Sequence, residues 1–192
     1  MRFSRRSLLA AAGCLGAAPL LAAEWPAKPA VPTDFNAKEC FDELAEKGAG
    51  IHFGNADADI TVRVLFDTQC PWCLWQFEQF KPYLDRVEFV WYPVAVLNPW
   101  SELQGASILA AGDPAARFAA HEAHFKDAGF KGLDVRNESI PFEKREAVWT
   151  NSKIFRRAAG REVPFGVMKM PDGRYIPVAQ QTRADFSKLI GF

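Results

Sequence analysis

The sequence predicts an α/β domain in which a long helical segment interrupts a sheet. Residues 60–66 alternate apolar and polar side chains with the two-residue period of a strand. From Cys70 onward the apolar period becomes that of a helix, with inward positions at Cys73, Phe77, Phe80 and Leu84. After the helical segment, two strand-like runs flank a Pro-Asp-Gly turn and a last helix follows. These three observations indicate a sheet closed by a C-terminal hairpin.

The first 23 residues have the layout of an export signal. Three arginines lie among the first six residues, residues 8–21 are apolar, and cleavage is expected near Ala23. A twin-arginine signal, a membrane anchor and lipidation of Cys14 are the alternatives for this segment. Residues 24–50 are expected to form a proline-rich leader and a short helix.

The charge balance argues against a polyanionic partner. The chain has 23 basic and 23 acidic residues, and removal of the signal leaves 20 basic against 23 acidic. We therefore do not expect nucleic acid as a partner. The mature chain of about 170 residues is long enough for one domain with a full core.

The predicted elements follow in order along the chain. Strands are expected over residues 51–55, 60–66, 87–97, 163–170 and 174–179. Helices are expected over residues 34–47, from Cys70, over 101–112, 113–125 and 143–160, and from Thr182 to the end. Asp113 with Pro114 suits a helix cap and first helical residue, and Thr182 opens the last helix in the manner of a capping box.

The mature chain keeps an odd number of cysteines, namely Cys40, Cys70 and Cys73. A disulfide-stapled exported fold normally has an even number, so a close pair plus one remaining cysteine favours redox chemistry. Cys70 lies where the strand ends and the helix begins, and the unpaired N–H groups there stabilise a thiolate. We therefore predict Cys70 as the nucleophile. Cys73, one turn later and inward, is the predicted resolving thiol.

Other interpretations of the same residues remain open. The pair could belong to a zinc site completed by Cys40 and His52, or form a static disulfide. Cys40 is expected to pack as a small apolar residue, with a regulatory or intermolecular disulfide as the alternative. His121 and His124 lack the four-residue spacing of a zincin motif and are expected to be solvated surface side chains.

A family resemblance rests on two places in the sequence, Cys70-Pro-Trp-Cys73 and Val163-Pro164. A Cys-Pro-aromatic-Cys motif that opens a helix, a helical insertion, and Val-Pro before a hairpin together resemble the thioredoxin superfamily. Within it, "VLFDTQCPWC" is similar to the DsbC/DsbG thiol:disulfide interchange proteins, which share an acid at the position of Asp67. The resemblance implies a thioredoxin-like catalytic domain over residues 51–192. The helical insertion, at about 101–160, would lie between the central strand and the C-terminal hairpin.

The resemblance also implies a substrate-binding surface. Pro164 corresponds to the cis proline that family members have beside the redox pair, so the backbone of Val163 is expected to pair with an extended substrate. Trp72 is expected to be half exposed on this surface. Phe165 is expected either to line the groove or to pack in the core.

Two further residues are expected to tune the redox pair. Pro71, together with Trp72, lies between the cysteines, and this dipeptide is expected to set a moderately oxidising potential. Asp67 is expected either to satisfy the N–H groups of a turn or to adjust Cys70.

The predicted function is that of a periplasmic thiol:disulfide oxidoreductase, with isomerase or reductase preferred on the resemblance at Asp67. A DsbA-like oxidase is the alternative, because Val163 stands where DsbC and DsbG have Thr. A redox-inactive peptide-binding module and a zinc-binding module are further alternatives. The residues before the first strand are too few for the family's dimerisation domain, so a monomer is expected. Expected partners are unfolded or misoxidised exported proteins and a membrane redox partner of the Dsb type, with no organic cofactor and no metal.

Overall fold

The computed structural model describes residues 30–127, 129–158 and 162–192. The predicted export signal, Cys14 and the first part of the predicted leader lie outside the described residues. Within the described ranges, no helix is both long and apolar enough to cross a membrane.

The described chain forms one mixed sheet of five strands. The strands are β1 (Ile51–Gly54), β2 (Thr61–Asp67), β3 (Glu88–Val94), β4 (Phe165–Lys169) and β5 (Tyr175–Val178). Their order across the sheet is β1-β3-β2-β4-β5. Strands β2 and β3 are parallel, whereas β1 with β3, β2 with β4 and β4 with β5 are antiparallel. The predicted C-terminal hairpin is β4–β5, and β2 occupies the middle of the sheet.

The described residues form six α-helices around this sheet. They are α1 (Ala37–Lys47), α2 (Pro71–Phe80), α3 (Pro99–Ala110), α4 (Pro114–His124), α5 (Phe142–Arg157) and α6 (Arg183–Ile190). The predicted caps Asp113 and Thr182 both accept a hydrogen bond from the N–H group three residues on. Helix α2 ends at Phe80 because Pro82 follows in a 3-10 turn, so Leu84 is not part of its apolar stripe.

One face of the sheet is covered by aromatic side chains. Phe89 and Trp91 of β3 contact Phe80 of α2, and Phe89 also contacts Phe186 of α6. Phe118 of α4 inserts into the same cluster, with its ring 6.2 Å from that of Trp91. Helix α4, which belongs to the helical insertion, therefore contributes to the main core.

The helix that we assigned to the N-terminal leader also joins this core. Cys40, Phe41 and Leu44 of α1 are buried, and α1 packs on β4, β5 and α5. Arg63 of β2 donates to the carbonyl oxygen of Phe41 at 3.0 Å and lies over the Phe41 ring. Helix α1 and residues 51–192 thus share one hydrophobic core.

Candidate active site

The redox motif lies at the junction between the middle strand and α2. Strand β2 ends at Asp67, and a turn closed by the Cys70 N–H donating to the Asp67 carbonyl at 3.0 Å leads into the helix. Cys70 is the N-cap residue and Pro71 the first residue of α2. Proline suits this position because its missing N–H has no partner to lose there. The motif thus stands at the positive end of α2, as the sequence predicts.

The two cysteine residues differ in their exposure to solvent. Cys70 retains 4% of its surface exposed, whereas Cys73 has none. Cys40, Cys70 and Cys73 are all free thiols. Cys70 is therefore the member of the pair that another molecule can reach, although only a small part of it is open.

The surroundings drive the two pKa values in opposite directions. Hydrogen bonding from the Cys73 thiol lowers the pKa of Cys70, and the N–H groups of Cys73 and Trp72 act in the same direction against burial and the Asp67 charge. Burial raises the pKa of Cys73 well above its usual value, and hydrogen bonding to Cys70 adds to this. The pair therefore holds its thiolate at Cys70 and its proton at Cys73.

Residues 163–164 lie against the redox pair. The peptide bond between Val163 and Pro164 is cis, and both residues are buried. The Cys70 thiol donates to the Val163 carbonyl oxygen at 3.5 Å. The structure thus brings together the two sequence features on which the family resemblance rests.

Asp67 is fully buried and accepts four hydrogen bonds. One carboxylate oxygen accepts from the Gln69 N–H at 2.9 Å and the Ser101 hydroxyl at 2.6 Å. The other accepts from the N–H groups of Val96 and Leu97 at 2.9 and 3.0 Å. The expected contact with turn N–H groups is present. Asp67 additionally joins the start of α3 to residues 67–70, the turn before α2 that we call the redox loop.

The remaining predicted site residues lie at different depths. Trp72 is half-buried and its ring lies edge-on to Trp75 at 6.3 Å, while Pro71 is exposed. Phe165 is only 3% exposed and packs against the ring of Phe35 at 5.1 Å. The side chain of Phe165 therefore belongs to the core.

Sequence reasoning missed a polar network beside the motif. The Gln69 amide group donates to Gln104 at 2.6 Å and to the Lys131 carbonyl at 3.1 Å. Gln104 donates to the Lys131 and Leu133 carbonyls at 2.7 and 2.9 Å. A sequence signal was available, since Ser101 and Gln104 are polar residues three apart and therefore lie on the same face of α3. This network fixes residues 131–133 next to the redox loop.

The prediction that His121 is a solvated surface residue is wrong. His124 is exposed, but His121 is fully buried and its Nε2 lies 2.8 Å from the Thr68 carbonyl oxygen. The error arose because His121 is covered by residues 131–133, a segment without any periodic pattern. The helical spacing of Phe118, His121 and Phe125 is the signal that could have placed His121 on the buried stripe.

Cys40 packs as a small apolar residue, as expected. It is 4% exposed, and burial raises its pKa to about 12. In the described ranges, no three His, Cys, Asp or Glu side chains cluster as they would to hold a metal ion. His52 lies instead beside Glu88, with Nδ1 3.2 Å from Oε1.

Comparison with solved structures identifies the fold. A periplasmic thioredoxin-like protein from Salmonella enterica serovar Typhimurium superposes with a TM-score of 0.63 at 14% identity, covering 80% of this chain and 94% of that one. The chain has a thioredoxin-like fold. This assignment confirms the expected fold class, an α/β thioredoxin fold with a helical insertion before the C-terminal hairpin.

Curated relatives carry the same resemblance at the sequence level. The thiol:disulfide interchange protein DsbG of Pseudomonas aeruginosa is 29% identical over 140 residues, which are 72% of this chain and 53% of the relative. DsbG of Escherichia coli is 36% identical over 72 residues, which are 36% of this chain and 29% of the relative. The chain therefore spans about half the length of the first relative and less of the second. No protein-family model matches the chain.

Proposed function

We propose that this protein is a thiol:disulfide interchange enzyme in which Cys70 attacks and Cys73 resolves. One observation carries the proposal, namely the position of Cys70 as the N-cap of α2 with the fully buried Cys73 one turn later. The opposite directions of the two pKa shifts agree with it. The DsbG relatives support the same chemistry. The Val163 carbonyl oxygen lies 3.5 Å from the Cys70 sulfur, and this backbone acceptor beside the nucleophile supports an extended substrate at that point.

In the first step, the Cys70 thiolate attacks one sulfur of a substrate disulfide. A bond forms between Cys70 Sγ and that sulfur, the substrate S–S bond breaks, and the other substrate sulfur leaves as a thiolate. The lowered pKa of Cys70 increases the fraction of thiolate available for this attack.

The mixed disulfide can react further in two ways. If Cys73 loses its proton and attacks Cys70 Sγ, the substrate leaves as a second thiolate and the enzyme becomes the disulfide, so two electrons have passed to the substrate. If a different substrate thiolate attacks the bound substrate sulfur, Cys70 is released and the substrate is isomerised. Burial, the largest cause of the raised pKa of Cys73, persists in the mixed disulfide and disfavours the thiolate that the first route needs.

Isomerase or reductase activity is the preferred direction. The DsbG relatives support this direction. The raised pKa of Cys73 favours isomerisation over reduction, because a substrate thiolate then has time to react with the mixed disulfide. Oxidase activity is the second candidate because a stabilised Cys70 thiolate favours the reduced enzyme, which makes the disulfide form a stronger oxidant.

We further propose that the enzyme acts in the periplasm on unfolded or misoxidised exported proteins, as a monomer. The N-terminal segment with three arginines and an apolar run supports export. A membrane redox partner of the Dsb type would restore the working redox state. Trp72 and the backbone at Val163–Pro164 would contact the substrate, and Pro71 with Trp72 would tune the potential.

Refolding of a protein with scrambled disulfides tests the proposal. Cys70→Ser should abolish the regain of native substrate, whereas Cys73→Ser should accumulate a mixed disulfide between enzyme and substrate, visible on a non-reducing gel. Cys40→Ser is the matched control and should keep wild-type activity. Full activity of Cys70→Ser would overturn the assignment. The reduction potential of the pair, measured against glutathione, separates oxidase from isomerase or reductase.

A further inference from the structure

The buried imidazole of His121 makes two hydrogen bonds that define its tautomer. The backbone N–H of Leu133 donates to Nδ1 at 3.3 Å, so Nδ1 is the unprotonated nitrogen. Nε2 therefore carries the proton and donates to the Thr68 carbonyl oxygen at 2.8 Å. The neutral ring thus joins α4 and residues 131–133 to the redox loop.

The peptide unit that His121 contacts joins Thr68 to Gln69, the residue before Cys70. Its carbonyl, on Thr68, is held by His121, and its N–H, on Gln69, is held by the Asp67 carboxylate at 2.9 Å. Two buried side chains thus hold both ends of a single peptide plane. The orientation of this plane sets ψ of Thr68 and φ of Gln69, the backbone angles through which the chain enters the N-cap at Cys70.

The side chain of Gln69 also holds this peptide in place. Gln69 donates to Gln104 and to the Lys131 carbonyl, and Gln104 donates to the Leu133 carbonyl. Leu133 is also the residue whose N–H binds His121. The network therefore closes on itself, and His121 is the member that reaches the backbone of the redox loop from α4.

We propose that His121 is a positioning residue for the thiol chemistry, which orients the Thr68–Gln69 peptide and so keeps the Cys70 sulfur at the amide groups of α2. This inference rests on the proposed role of Cys70 as the nucleophile. Without His121, Cys70 would lose part of the alignment that stabilises its thiolate, and its reactivity at acidic pH would fall.

Two substitutions at position 121 separate the hydrogen bond from the packing. His121→Leu fills a similar volume but leaves the Thr68 carbonyl without its donor. His121→Gln keeps an amide donor that can reach this carbonyl. We expect alkylation of Cys70 by iodoacetamide at about pH 6 to slow three- to tenfold in His121→Leu, because below its pKa the thiolate fraction falls tenfold per pH unit. His121→Gln should stay within about twofold of wild type.

A glycine pair tests the same inference without changing His121. Gly132 has φ +76° and lies against the imidazole, since a Cβ there would stand 2.1 Å from Cε1 and 2.3 Å from Nδ1 of His121. Gly129 has φ +99°, and a Cβ there would meet no atom within 4 Å. Both alanine variants strain the backbone, but only Gly132→Ala displaces the ring. Gly132→Ala should slow Cys70 alkylation as His121→Leu does, and Gly129→Ala should not.

The readout is the pH profile of Cys70 alkylation, followed by mass spectrometry, with near-ultraviolet circular dichroism to verify the native fold. Slower Cys70 alkylation in His121→Leu and Gly132→Ala, with Gly129→Ala and His121→Gln close to wild type, supports the proposal. Folded His121→Leu or Gly132→Ala with an unchanged profile would overturn it, even if both lose stability. Should His121→Leu not fold, the glycine pair and His121→Gln decide the question. Alkylation does not require disulfide exchange, so a failed substrate assay alongside these shifts would reject the enzymatic function while leaving the role of His121 intact.

Discussion

The Cys70 thiol donates a hydrogen bond to the carbonyl oxygen of Val163 at 3.5 Å, although the two residues lie 93 positions apart in the chain. A thiolate has no proton to donate. Ionisation of Cys70 therefore leaves the Val163 carbonyl without this donor, at the moment when the sulfur becomes a nucleophile. The carbonyl is then available for an N–H group from the backbone of a bound polypeptide.

The three thiols of the described chain should react in a fixed order. In the native protein at neutral pH, iodoacetamide should modify Cys70 first, because its pKa is lowered. Burial raises the pKa of Cys73 well above its usual value, and burial raises the pKa of Cys40 to about 12. Peptide mapping by mass spectrometry checks the order. In denaturant the three should react at similar rates, and native labelling of Cys40 as fast as Cys70 would contradict the expectation.

Asp67→Asn should destabilise the protein strongly. All four groups around the carboxylate are donors, two on each oxygen, so an amide NH2 would face donors on one side. We expect the free energy of unfolding to fall by about 2–4 kcal/mol, since the lost bonds are buried and charge-assisted. Urea unfolding measures this change.

Asp42→Asn is the matched control for that variant. Asp42 is exposed and pairs with Lys38 one helical turn away, so its loss should cost less than about 0.5 kcal/mol. Equal losses for the two variants would mean that the Asp67 network adds little to stability.

Stability should fall as the pH drops below about 6.5, in part because of His121. Burial lowers its pKa from the ordinary value of 6.5, with the charge of Arg117 acting in the same direction and the Thr68 hydrogen bond and Asp67 opposing. Between pH 6.5 and the lower folded pKa, unfolding takes up a proton, so the free energy of unfolding decreases by up to about 1.4 kcal/mol per pH unit. Above pH 6.5 the imidazole of His121 is neutral in the folded and the unfolded chain, so it no longer changes the free energy of unfolding with pH.

His121→Gln should flatten the dependence, and urea unfolding at a series of pH values measures it. The control is His124→Gln, at an exposed site on the same helix, which should keep the wild-type slope. An identical slope in His121→Gln and wild type would show that another group titrates in this range.

Phe118→Ala should lower the free energy of unfolding by about 3–5 kcal/mol. The ring is fully buried and contacts Phe53, Phe66, Phe77 and Trp91, so its removal leaves a cavity in the main core. Phe192→Ala, at a position 60% exposed, should change stability by less than about 1 kcal/mol. A small effect of Phe118→Ala on urea unfolding would mean that the helical insertion packs independently of the sheet.

The strands and helices could be predicted because their signals are local. The alternation in β2, the helical stripe from Cys73 and the caps at Asp113 and Thr182 depend on residues within one or two turns. The same holds for the assignment of Cys70 and Cys73, whose roles follow from their order at a helix start.

The surroundings of the cysteines could not be predicted, because they come from distant segments. Nothing near His121 in the sequence shows that Leu133 covers it or that it reaches Thr68. The hydrogen bonds of Asp67 to residues 96 and 97 likewise depend on how β3 ends beside β2. The contacts of helix α1 could not be predicted for the same reason, since its partners include strands more than a hundred residues later.

The distances along the chain within this site have a consequence for a newly made molecule. Val163 contacts Cys70 itself, whereas Ser101 and His121 bond Asp67 and Thr68 in the turn that leads to it. Under the proposed function, the surroundings that lower the pKa of Cys70 would form only when these distant segments have folded together. Fast thiol labelling would then mark correctly folded copies, and a misfolded copy would not act on its neighbours.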